Sequence, residues 1–183
     1  GINENIKRKK INPCKFTNKL CFKLKKMYHP TITDPIKNSI DASKNIVITG
    51  PNAAGKTTTI KATIINLLLT QQIGFGFFDK GKSGTFDYIH CYLNIPDSCS
   101  RDSLFQSEAR RCKDILSCIE NNPNQSHFCI FDELYSGTNP YEAISSAYSY
   151  LDFISKNKNV RFLLTTHFIR LCNLFEKKSK ITN

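Results

Sequence analysis

The sequence predicts an α/β domain in which a mostly parallel sheet is flanked by helices. Three observations predict it. First, short apolar runs rich in β-branched and aromatic residues alternate with longer segments of helical spacing. Second, the run Asn45-Ile46-Val47-Ile48-Thr49 passes through a glycine-containing loop straight into a helical segment. Third, two later runs, ending at Phe131 and Thr165, stop in polar residues, as buried parallel strands do at an open edge.

The elements follow in order. Residues 1–27 mix Lys7-Arg8-Lys9-Lys10 and further lysines with Cys14, Phe16, Leu20, Phe22 and Leu24, and predict a basic arm or the end of an upstream domain. A short amphipathic helix or a tether is expected there, ahead of a domain over residues 28–183. Residues 31–44 predict extended chain and turns. A strand over 45–49 precedes a helix from Lys56 to about Gln72, with Ile60, Ile64, Leu67 and Leu68 at helical intervals. Gly74, Gly76, Gly81 and Gly84 predict a loop region, and residues 86–93 a strand. A polar loop over 97–103 leads into a helix from Leu104 to about Ile119, ended by Asn121-Asn122-Pro123-Asn124. Strands are predicted over 127–131 and 160–165. A helix begins at Pro140, where proline suits the first position, and a last helix begins near Phe168.

Composition narrows the class. A chain of 183 residues makes one ordinary domain, with or without an arm, and buries a core without disulfides. No apolar stretch approaches the roughly 20 residues of a membrane span, so no membrane association is expected. The polar, basic first residues predict no signal peptide. The eight cysteines are therefore expected as free thiols in a reducing compartment, nucleus or cytoplasm. No C-x-x-C occurs, and Cys14, Cys21 and His29 lack finger spacing. Of the net charge of +11, most lies in residues 1–30, which hold nine Lys/Arg against one acid. Such a block attracts phosphate backbones or serves as a solvated linker; charge alone carries no sequence readout.

The loop at residues 50–57 reads Gly50-Pro51-Asn52-Ala53-Ala54-Gly55-Lys56-Thr57, which fits the phosphate-binding pattern G-x-x-x-x-G-K-[ST]. Its N–H groups and the following helix end, including Thr58, are expected to wrap β- and γ-phosphates. Lys56 neutralises phosphate charge and the Thr57 hydroxyl ligates Mg²⁺. Phe128-Cys129-Ile130-Phe131 runs into Asp132-Glu133. Asp132 suits Mg²⁺, through water, and Glu133 suits orienting or deprotonating an attacking water. Thr165-Thr166-His167 ends the next strand, and His167 suits a γ-phosphate contact.

This order of P-loop, strand with Asp-Glu and strand with His resembles the ABC type of P-loop ATPase. Gly50-Pro51-Asn52-x-x-Gly55-Lys56-Thr57, Gln72-Ile73-Gly74, Ser103-Leu104-Phe105-x-x-Glu108, Asp132-Glu133-x-x-x-Gly137-Thr138 and Thr165-Thr166-His167 together resemble the MutS family of DNA mismatch repair ATPases. His29-Pro30 is similar to that family's H-P ahead of the nucleotide. The resemblance covers residues 28 to about 175. It implies ATP and Mg²⁺ as cofactors and hydrolysis with Glu133, His167, Lys56 and Ser103 as catalytic residues. It also implies Ile36 and Asn38 at the adenine. Ser103 would act on the partner's γ-phosphate in a homodimer or MutS-like heterodimer, with Thr138 and Asn139 at the interface. Duplex DNA, mismatched, would be bound by parts outside this chain.

The sequence departs from the family at Ala53-Ala54, at Ile36 where relatives stack an aromatic, at Asn139-Pro140, and at a C-terminal end that implies a truncated domain. Two other readings share the P-loop. One is a chromosome ATPase of the SMC class, although L-S-G-G-Q is absent. The other is a nucleotide-gated binding module that turns over little.

Overall fold

A computed structural model describes residues 11–93, 104–176 and 181–182. It contains two compact units. One takes the described residues up to Ser43 together with Gly55–Thr85, and the other takes Lys44–Ala54 and the described residues from Phe86 onward.

The second unit carries the predicted parallel sheet. Its strands are β4 (Asn45–Thr49), β7 (Tyr88–Tyr92), β8 (His127–Asp132), β9 (Val160–Thr166) and β10 (Ile181–Thr182), in the order β10-β4-β9-β8-β7. Every pairing in it is parallel. Phe128 to Phe131 are all fully buried, as are Phe162 to Leu164 on β9. Side chains of this kind contribute about 1.5–3 kcal/mol each on burial. Three helices, α2 (Leu104–Asn121), α3 (Pro140–Ser155) and α4 (Ile169–Glu176), add Cys112, Ile115, Ala147, Leu151 and Phe175 to that core. Pro140 stands in the first turn of α3 as predicted. The Asn139 side chain caps it, accepting from the N–H groups of Tyr141 at 3.1 Å and Glu142 at 3.0 Å.

The first unit holds a mixed sheet of β1 (Asn12–Phe16), β2 (Phe22–Met27), β3 (Asn38–Asp41), β5 (Phe75–Gly76) and β6 (Lys80–Ser83), ordered β3-β2-β6-β1-β5. It also holds α1 (Lys56–Ile73). Asn66, fully buried in α1, ties the unit together. Its Nδ2 donates to the carbonyls of Ala62 at 2.9 Å and Tyr28 at 3.3 Å, and its Oδ1 accepts from Phe77 N–H at 2.6 Å.

Several expectations are corrected here. The described part of the basic arm is neither helix nor tether, since residues 12–16 and 22–27 are strands. The reason is a period-two alternation, with Phe22 and Leu24 buried while Lys23 and Lys25 face solvent. The glycine-rich loop region contains β5 and β6, and the stretch expected as extended chain contains β3. Leu68 does not join the buried face of α1; it is 43 % exposed, while Thr63, Asn66 and Thr70 are buried instead. The loop expected over residues 97–103 lies outside the described residues.

Candidate functional site

Strand register brings the predicted polar ends together at one edge of the second unit. Thr49 pairs with Thr166 and Asp132 pairs with Thr165, so β4, β9 and β8 end side by side. Gly50 follows Thr49 directly, and the loop it opens therefore starts beside these residues. Carboxyl edges of parallel sheets are where such folds bind ligands.

Asp132 closes β8, and its carboxylate accepts the hydroxyl of Thr165 from the neighbouring strand. Glu133 follows in a left-handed conformation, φ 52°, which is uncommon for a residue other than glycine and costs about 1–2 kcal/mol. Its N–H still donates to the Thr165 carbonyl at 3.0 Å, so the strand ladder runs one residue further while the side chain swings to the edge. There its Oε1 lies 3.5 Å from Nδ1 of His167, with both side chains well exposed to solvent. The His167 ring packs on Phe168, centroids 4.1 Å apart. Three consecutive residues thus divide the work. Buried Thr165 holds Asp132, and buried Thr166 accepts the Phe168 N–H at 3.0 Å and fixes the turn into α4. His167 reaches Glu133.

The loop residues Gly50 to Ala54 belong to the second unit, and Gly55 onward to the first. Pro51, Asn52, Ala53 and Ala54 are exposed, and Ala53 has φ 63°. Gly55 stands before α1 with φ 84°, and a Cβ placed there would meet nothing within 4 Å. Lys56 is buried, Thr57 half-buried and Thr58 exposed. In the first unit, Ile36 is 85 % exposed, and Asn38 begins β3 with its Nδ2 donating to Thr59 Oγ1 at 3.5 Å. Ser103 lies outside the described residues.

Two residues at this edge escaped the sequence reading as site residues. Thr165 gives no local sign that its hydroxyl serves Asp132. Glu108 is the other. Buried on α2, its carboxylate accepts from the Ser136 N–H and hydroxyl, both at 3.0 Å, and from the Gly137 N–H at 3.1 Å. Gly137 is required by this packing, because a Cβ would lie 2.7 Å from Leu104 Cγ and 2.9 Å from Phe105 N. Residues 104–108 and 132–138 were legible as two motifs, but their contact was not.

Fold and edge together define a mixed α/β protein whose parallel sheet collects an acid pair, threonines and a histidine at its carboxyl end. The family model described as MutS domain V matches residues 46–183. The chain is 29% identical over 168 residues to the DNA mismatch repair protein MutS of Persephonella marina, covering 87% of this chain and 19% of that protein. It is 34% identical over 155 residues to the putative endonuclease MutS2 of Bacillus subtilis, covering 81% and 19%. It is 30% identical over 183 residues to the endonuclease MutS2 of Lactobacillus acidophilus, covering 97% and 23%. This chain belongs to the MutS family. It spans about a fifth of the length of these curated relatives. No helix among the described residues is long and apolar enough to cross a membrane.

Proposed function

We propose that this chain is the ATP-binding and ATP-hydrolysing module of a MutS-like DNA mismatch repair protein, built on a P-loop fold of the ABC type over residues 28–183. The observation that carries the proposal is the meeting of Asp132, Glu133 and His167 at the carboxyl edge where β4 opens into the loop starting at Gly50.

The residues fit a magnesium-bound triphosphate. Left-handed Ala53 and Gly55 bend the loop backbone sharply, as anion-binding loops do, while the Ala54 N–H closes a turn on the Pro51 carbonyl at 3.3 Å. The space beside Gly55 is open, which leaves room for a phosphate at the start of α1. Thr57 and Asp132 offer the hard oxygen donors that Mg²⁺ prefers. When bound, the metal and triphosphate supply the leaving group and the charge that must be balanced.

This chain's own side chains do the rest. Gly50 to Thr58 hold phosphates, with Lys56 balancing their charge. Glu133 orients and deprotonates the water, and the 3.5 Å contact with His167 keeps its carboxylate at the edge. His167 then serves the γ-phosphate. Ile36 and Asn38 border the adenine. Ser103 completes the partner's site in a homodimer or MutS-like heterodimer, and coupling to mismatched duplex DNA runs through parts outside this chain, inside the cell.

The test is ATP turnover and ATP binding in the wild type and in Glu133→Ala, across protein concentration and with or without duplex DNA. Turnover should collapse in the variant while ATP binding persists, and wild-type rate per chain should rise as dimers form. Absent turnover in wild type under all conditions, with ATP still bound, leaves a nucleotide-gated binding module instead. A rate that stays flat from monomer to dimer removes the shared role of Ser103.

A further inference from the structure

At the opposite side of the second unit's sheet from β10, side chains from three elements meet: His90 on β7, His127 at the start of β8, and Cys118 in the last turns of α2. Register explains the meeting of the two rings. Tyr88 lies opposite His127 and His90 opposite Cys129, so Tyr88, His90 and His127 project from one face of the sheet. The His127 ring stacks nearly parallel to both neighbours, 9° from Tyr88 and 12° from His90. One ligand atom each from His90, Cys118 and His127 lies within 4.8 Å of the other two.

The hydrogen bonds settle where the lone pairs point. Nε2 of His127 lies 3.1 Å from the Asn122 carbonyl oxygen, which only accepts, so Nε2 carries the proton and donates. The His127 lone pair is therefore on Nδ1, which faces Nε2 of His90 at 3.1 Å. In the metal-free protein one proton, on His90 Nε2, lies between the two nitrogens. Asn122 supports the thiol as well: its Nδ2 donates to the Cys118 carbonyl at 2.9 Å and approaches Cys118 Sγ at 3.9 Å.

We propose that a divalent zinc-class cation replaces this proton, bound by His90 Nε2, His127 Nδ1 and Cys118 Sγ, with water in the fourth position. The protons balance. His90 moves its proton to its other nitrogen, Cys118 releases its thiol proton to solvent, and the site gains one unit of positive charge. The distances suit the ion. With Zn–N bonds of about 2.0–2.1 Å, nitrogens 3.1 Å apart subtend roughly 98° at the metal, near the tetrahedral value. Sulfur needs to close by on the order of 1 Å, within reach of a small rotation of Cys118. Two imidazoles and one thiolate form the borderline-soft set that zinc selects over magnesium or calcium. The carbonyl on the far nitrogen of His127 is the support that metal-bound histidines ordinarily have. Such an ion ties the C-terminal end of α2 to β7 and β8.

The test uses the whole chain, stripped with a chelator, then titrated with Co²⁺ and with Zn²⁺ against a chromophoric competitor. Wild type, Cys118→Ser, His90→Gln and the control Cys14→Ser are compared, with folding checked by circular dichroism. We expect one Co²⁺ per chain with a thiolate-to-cobalt charge-transfer band. The band should vanish in Cys118→Ser, and Zn²⁺ affinity should fall at least about 100-fold in Cys118→Ser and His90→Gln, while Cys14→Ser matches wild type. Loss of an outer contact alone costs 10–100-fold, about the floor for losing a ligand. The site is overturned by a folded wild type that binds no metal, by a band that survives Cys118→Ser, by affinity unchanged in His90→Gln, or by equal loss in Cys14→Ser.

Discussion

Thr165 donates its hydroxyl to Asp132 across adjacent parallel strands, so the acid proposed to face the metal is aimed by a residue from another element. A hydrogen bond to a charged group is worth about 1.5–3 kcal/mol. Thr165→Val should raise the Mg²⁺ concentration for half-maximal ATP turnover roughly tenfold or more, as about 1.4 kcal/mol implies, and Thr165→Ser should restore it. A Mg²⁺ dependence identical in wild type and Thr165→Val would show that Asp132 needs no such support.

Glu108 and Gly137 form a second cross-element lock. Glu108→Ala leaves the Ser136 N–H and hydroxyl and the half-buried Gly137 N–H without their carboxylate acceptor, and because exposed Ser136 can turn to water, unfolding free energy should drop by only about 1–3 kcal/mol. Gly137→Ala meets backbone at Phe105 N and should destabilise by about 1–3 kcal/mol. Because both changes loosen the same contact, the double variant should lose less than the sum of the two. Additive losses in urea unfolding would show that the residues act independently.

Lys15, Lys82 and Lys23 lie directly opposite one another across β1, β6 and β2, and Asp41 completes the row with a 2.7 Å ion pair to Lys23. Like charges facing across strands destabilise, by up to about 1 kcal/mol per pair. Lys82→Thr should therefore raise the melting temperature, and added salt should stabilise wild type more than the variant. Equal salt responses in the two proteins would contradict this.

His90 is pushed down to about 4, first by burial and then by the neighbouring charges of His127 and Arg111. Unfolded histidine titrates near 6.5. The unfolded chain thus takes up this proton before the native one does. The resulting stability is present above 6.5 and is lost as pH falls toward 4. Metal-free His90→Gln should show a flatter fall of melting temperature over that window. Parallel curves for the two proteins would place the acid sensitivity elsewhere.

The sequence by itself determined the parallel strands at residues 45–49, 127–131 and 160–165, the helix from Pro140, and the polar pair and triplet that end two of those strands. These are local signals: an apolar run, a period, a proline, a change from apolar to polar at a strand end. The strand at residues 22–27 carried the same kind of signal in Phe22-Lys23-Leu24-Lys25, but its lysines read as part of a charged arm. Tertiary structure alone decided that Thr165 serves Asp132, that Glu108 holds Gly137, that three lysines align, and that His90, Cys118 and His127 meet. Each of those relationships joins residues far apart in the chain. Strand register and helix packing set them, and no spacing within a single segment encodes either one.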